Sequence, residues 1–147
     1  MKTIGVGVIG TAFMGKAHSI AYAAAGSVFG DGLRPSLEMI CDYNSERAEV
    51  MRTEMGFSRC TSDWMDVVND PKVQLISVCV PNSLHKEISV AALKLGKHVW
   101  CEKPMSTNLA DSEAMLAAAQ ASNAQTILGY NYTQNPAVQS ARELIEE

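Results

Sequence analysis

Six short apolar runs punctuate the chain, and none of them alternates with a polar face. They are TIGVGVI (3–9), LEMICD (37–42), FSRCT (57–61), VQLISVCV (73–80), HVWCE (98–102) and TILGYNY (126–132), each followed by a helix-like segment. A strand with no polar face needs cover on both sides, and the intervening helices supply it. With right-handed crossovers this predicts an α/β fold, a doubly wound parallel sheet of about six strands with helices on both faces. SVFGDGLRPS (27–36) reads as a loop-like insertion before the second strand. Gly26, Gly56 and Gly96 stand where a left-handed turn would close three of the helices.

A chain of 147 residues is long enough for one domain with a sizeable core. The net charge of −4 gives no electrostatic attraction to nucleic acid or to an anionic membrane, so neither is expected as a partner. No apolar run approaches the roughly 18–20 residues of a membrane span, and the N-terminus lacks a signal-peptide layout. The four cysteines, Cys41, Cys60, Cys79 and Cys101, form no C-x-x-C pair, and Cys41, Cys79 and Cys101 lie in or at the end of the more apolar strand-like runs. Buried reduced thiols are the expectation, in a cytoplasmic protein. No metal-ligand spacing exists.

Two overlapping stretches compete for a glycine-rich phosphate turn. GVGVIG (5–10) matches G-x-G-x-x-G letter for letter, whereas GTAFMG (10–15) has Ala12 in place of the middle glycine. Phase decides between them. A phosphate turn lies after the first strand and opens the first helix, and Gly5 and Gly7 fall inside the strand. GTAFMG sits at the junction. There Gly10 allows the tight turn, Ala12 adds one methyl where the backbone approaches a pyrophosphate, and Gly15 permits close helix–strand packing. The unpaired N–H groups of residues 12–15 face the anion. Phe13 and Met14 would cover the cofactor with apolar surface.

Asp42 ends the second strand, where a carboxylate can accept hydrogen bonds from the hydroxyls of an adenosine ribose. It lies further beyond Gly15 than the usual spacing of about 20 residues, and the inserted loop accounts for the excess. A carboxylate there would repel a 2′-phosphate, which favours NAD and leaves NADP open. Arg47 is placed on a solvated helix face. The competing role for Asp42 is to cap the helix that starts near Ser45.

GTAFMGKAH (10–18), VPNSLH (80–85), GKHVWCEKP (96–104) and GYNYTQNPA (129–137) together resemble the N-terminal half of the glucose-fructose oxidoreductase, inositol dehydrogenase and rhizopine-catabolism oxidoreductase family. The likeness spans essentially the whole chain in the right order. Glu-Lys-Pro at the end of the fifth strand is its most specific part, and Ala12 departs from the commonest family pattern. The resemblance implies a dinucleotide-binding Rossmann domain over 1–147, its closing helix at about 136–147 leading toward an absent α+β substrate domain. Such enzymes move a hydride between a nicotinamide cofactor and a secondary alcohol of a sugar or cyclitol.

That chemistry needs the carbinol C–H held against the ring and a group to handle the hydroxyl proton. Lys103 stands at the carboxyl end of a strand, where open α/β sheets bind ligands, and is the candidate proton carrier and cofactor contact. Pro104 pushes Lys103 toward an extended conformation, and the resemblance implies a cis bond between them. By the same resemblance Glu102 bonds the nicotinamide ribose, Pro81 and Asn82 line the groove with Asn82 touching a ribose, and Asn131 faces the nicotinamide or the substrate. His85 is either a cofactor contact or a packing and capping residue. His18 and His98 read mainly as structural, and Trp64 and Trp100 as core or interface.

From the residues alone three classes remain open. The chain is the cofactor domain of an NAD-dependent sugar or polyol dehydrogenase, a non-catalytic nucleotide-binding module, or a methyl transferase using S-adenosylmethionine. Glu102, Lys103 and Pro104 favour the first. Without the substrate domain, the expected behaviour is cofactor binding with little or no turnover. Homo-oligomerisation is left open.

Overall fold

The computed structural model describes residues 2–30 and 32–146. Asp31, in the expected insertion loop, and Glu147, at the end of the expected closing helix, lie outside the described residues. Strand and helix alternate throughout. The strands are β1 (Thr3–Ile9), β2 (Arg34–Cys41), β3 (Arg59–Thr61), β4 (Leu75–Val78), β5 (His98–Cys101) and β6 (Thr126–Leu128). After them come α1 (Phe13–Val28), α2 (Ser45–Met55), α3 (Trp64–Asn69), α4 (His85–Lys94), α5 (Leu109–Ala121) and α6 (Pro136–Glu146) respectively. All pairings are parallel, in the order β3-β2-β1-β4-β5-β6. The winding therefore reverses between β1 and β4, which is where such sheets open a crevice at their carboxyl edge.

Side chains alternate across each strand, so each face has its own core. Ile9, Ile76, Val78, Val99 and Cys101 pack with Val67 and Val68 of α3, Ile88 and Leu93 of α4, and Met115 of α5. Val6, Val8, Ile40 and Cys79 meet Tyr22 of α1 and Met51 of α2 on the other face. The glycines of β1 belong to the α3 face. A Cβ on Gly5 would sit 1.7 Å from the carbonyl oxygen of Lys72, and one on Gly7 would sit 2.4 Å from Val67 Cγ1. The G-x-G of GVGVIG thus serves strand packing.

The expected elements all form, with revised limits. The insertion narrows because α1 continues to Val28 and β2 starts at Arg34. Pro35 is tolerated because that part of β2 pairs only with β1, β3 first joining opposite Met39. Gly56 and Gly96 take positive φ (79° and 72°). Gly26 does not; it lies inside α1, and Gly30 (φ 72°) follows the helix instead. β6 stops at Leu128, short of the run to 132. The four cysteines are free thiols, with Cys41, Cys79 and Cys101 buried. Among the described residues no helix is long and apolar enough to cross a membrane.

Two outcomes follow from this packing. Gly15→Ala and Gly5→Ala are each expected to lower stability by about 1–3 kcal/mol in urea unfolding, because a backbone carbonyl occupies the space of the new methyl. Gly32→Ala, which would meet nothing within 4 Å, should shift stability by about 0.5 kcal/mol or less. Burial pushes the Cys41 thiol up to about 12 and the Cys101 thiol up to about 11, and drives Cys79 upward as well. At pH 8 a maleimide should therefore modify half-exposed Cys60 first and the other three only in denaturant.

Candidate functional site

The carboxyl edge is set by close backbone approach. Gly10 has φ of 102°, and a Cβ there would lie 2.4 Å from the carbonyl oxygen of Cys79, so only glycine passes between β1 and β4. A Cβ on Gly15 would lie 1.9 Å from the carbonyl oxygen of Gly10, so α1 starts against the strand end. Ala12 is the N-cap of α1 and offers no side-chain cap, whereas Asn44, Asp63 and Asn108 cap α2, α3 and α5. The first-turn N–H groups of α1 are left to a ligand or to water. Phe13 is exposed and Met14 half-buried beside this turn.

The backbone ladder runs past the strand ends and carries the site residues with it. The amide of Asp42 donates to the carbonyl of Thr61 (3.2 Å), and that of Glu102 donates to Val78 (3.1 Å). Both carboxylates are buried, each about 6% exposed, and a buried carboxylate requires partners. Thr11 Oγ1 donates to Asp42 Oδ2, and the Asn44 amide donates to Oδ1 at 3.0 Å. The cap of α2 is Asn44, whose side chain accepts from the Arg47 amide at 2.9 Å. That frees Asp42 from the capping role.

Around Asp42 lies a cavity of about 270 Å³ lined by the glycine turn, Tyr43, Arg47, Trp64, Pro81 and Leu84. Arg47 is not confined to a solvated face. Its guanidinium lies 3.9 Å from Asp42 and over the Tyr43 ring, 5.8 Å from the centroid. Trp64 lines this groove as well as packing on the core.

A second cavity, of about 470 Å³, lies across the turn between α1 and β6. Met14, His18, Tyr22, Trp100, Glu102 and Asn131 are among its walls. Trp100 and Glu102 reach it because alternation along β5 sends both toward α1. Lys103 is exposed beside Glu102, and its bond to Pro104 is cis. Asn82 and Pro81 are exposed on the loop after β4.

His85 is fully buried, and both of its ring nitrogens are occupied. Nδ1 lies 2.9 Å from the carbonyl oxygen of Pro104, and Nε2 lies 2.9 Å from that of Val80. It packs between the two loops that carry Asn82 and Lys103, with both ring nitrogens facing protein carbonyls rather than the groove. Thr11 and Ser77 are site residues that the sequence did not single out, because a lone hydroxyl carries no signal until its partner is placed.

The model of the oxidoreductase family with an NAD-binding Rossmann fold matches residues 4–130. Levoglucosan dehydrogenase of Pseudarthrobacter phenanthrenivorans is 40% identical over 148 aligned residues, covering 100% of this chain and 38% of that protein. Myo-inositol 2-dehydrogenase of Thermotoga maritima is 29% identical, covering 96% of this chain and 40% of its own length. A levoglucosan dehydrogenase structure in complex with NADH and levoglucosan superposes with a TM-score of 0.93 at 39% identity, over 99% of this chain and 40% of that one. The chain thus spans about 40% of the length of these relatives. With the uncapped turn, the switch point and the Glu-Lys-Pro end of β5 in place, the chain belongs to the NAD-binding, Rossmann-fold oxidoreductase family of glucose-fructose oxidoreductase and inositol dehydrogenase.

Proposed function

We propose that this chain is the cofactor half of a dehydrogenase that moves a hydride between NAD and a secondary alcohol of a sugar or polyol. One observation carries the proposal: two buried carboxylates, Asp42 and Glu102, stand at strand ends on opposite sides of the uncapped start of α1. An extended dinucleotide has two riboses flanking a diphosphate, and this arrangement matches those three groups in order. Gly10, Ala12, Phe13, Met14 and Gly15 take the diphosphate. Asp42 accepts from the adenosine ribose. Pro81, Asn82 and Asn131 line the groove, and Glu102 accepts from the nicotinamide ribose. NAD supplies the hydride acceptor.

Lys103, at the groove's edge, is assigned the proton exchange with the substrate oxygen: its neutral amine accepts the hydroxyl proton as the alcohol is oxidised, and its ammonium returns a proton to the carbonyl oxygen in the reverse direction. Its exposure supports a reading in which the site is completed by further protein, because hydride transfer requires a closed, dry site around the alcohol. We place the walls of that site in a second, substrate-binding domain. Levoglucosan dehydrogenase and myo-inositol 2-dehydrogenase are the similar proteins that point to an anhydrosugar or cyclitol as the substrate class.

Titration of the 147-residue chain with NADH, followed by nicotinamide fluorescence, is expected to saturate. Incubation with NAD and levoglucosan or myo-inositol should yield no NADH above a blank. Absence of NADH binding by the folded chain would overturn the proposal. Asp42→Ser is expected to weaken NADH about tenfold and to strengthen NADPH, since Arg47, now 3.9 Å from Asp42, would be released toward a 2′-phosphate. Parallel titrations with the two cofactors check the reversal.

A further inference from the structure

His18 is buried on α1, and none of the roles above uses it. Its Nε2 lies 2.9 Å from Glu102 Oε1, and its Nδ1 lies 3.0 Å from Ser77 Oγ on β4. Ser77 Oγ in turn lies 2.8 Å from the hydroxyl of Tyr22, one turn further along α1. All four side chains are buried, and the Trp100 ring lies against the imidazole with centroids 4.6 Å apart.

The donors can be assigned from chemistry. An ionised carboxylate only accepts, so the proton between His18 and Glu102 sits on Nε2. In the neutral ring Nδ1 then accepts, which requires Ser77 to donate to it and Tyr22 to donate to Ser77. Burial pushes the Tyr22 phenol up to about 12, so the far end of the chain stays protonated. Every hydrogen in this chain points toward Glu102. On the opposite side Gly129 closes in: a Cβ there would lie 2.6 Å from Oε1 and 3.1 Å from Oε2.

We propose that His18 is a positioning residue that, with Ser77 and Tyr22 behind it and Gly129 opposite, locks the Glu102 carboxylate in the orientation that receives the nicotinamide ribose. A carboxylate rotates readily about its terminal torsion, with a broad two-fold preference. One oxygen fixed from within the protein leaves the other turned to the ligand at no further ordering cost on binding. The proposal rests on the assignment of Glu102 to the nicotinamide ribose.

The test compares ligands that contain the second ribose with one that does not. For the 147-residue chain, His18→Leu should weaken NADH and ADP-ribose about tenfold or more while leaving ADP within about twofold. His18→Gln, which keeps a donor near the Nε2 position, should recover most of the loss. Equal weakening of ADP and ADP-ribose, or unchanged ADP-ribose binding in His18→Leu, would overturn the lock. Nitrogen-15 spectra of the ligand-free chain give a readout independent of binding. They are expected to show a proton on Nε2 of His18 whose signal moves in Glu102→Gln; a ring protonated on Nδ1 alone would refute the lock even if NADH binds. Failure of the unsubstituted chain to bind NADH, with that proton on Nε2, would refute the cofactor assignment instead.

Discussion

At Gly10 the backbones of β1 and β4 come so close that no side chain fits between them. The approach occurs at the point where the sheet's winding reverses, so the carboxyl ends of β1 and β4 form the floor of a crevice. Gly15 repeats the condition one turn later and brings the start of α1 onto the same floor. The orphan amides of that helix, the turn and the strand ends therefore lie together without any dedicated binding loop. A larger residue at Gly15 would move the helix off the strand end, and one at Gly10 would push apart the chain segments leaving β1 and β4.

Two carboxylates at this edge, Asp42 and Glu102, have been removed from water by the fold. Each has been given neighbours that compensate for the lost hydration. Asp42 is held by Thr11 from the glycine turn and by the Asn44 amide; Glu102 is held by His18 from α1 and lies close against Gly129. Both supports tie a strand end to the β1–α1 segment, so the segment that would meet the diphosphate also orients the groups flanking it. On the opposite face His85 packs between the loop after β4 and the loop after β5.

The chain spans about 40% of the length of its dehydrogenase relatives. At the sheet edge the backbones of Gly10, Asp42 and Glu102 are held by ladder hydrogen bonds to neighbouring strands. Lys103 projects outward from that edge into solvent. α6 is amphipathic by sequence yet buries none of its described residues, with Leu144 and Ile145 strongly exposed.

Much of this was legible in the sequence because it depends on local periodicity and steric rules. Apolar runs without a polar face dictate a covered parallel sheet, and the phase of GTAFMG against the first strand locates the turn between β1 and α1 despite the better letter match of GVGVIG. Asp42 and Glu102 were readable as strand-end carboxylates. The limits of the elements were less so: Gly26 continues a helix, and the insertion loop shrinks, because packing of α1 against β2 outweighs the local turn preference. What only the tertiary structure decided is which side chains meet. Thr11 finds Asp42, Arg47 turns back toward the groove, and His18 reaches Glu102 across 84 positions of sequence. Hydrogen bonds of that range depend on the three-dimensional placement of separate strands and helices, and no spacing along a single chain encodes them.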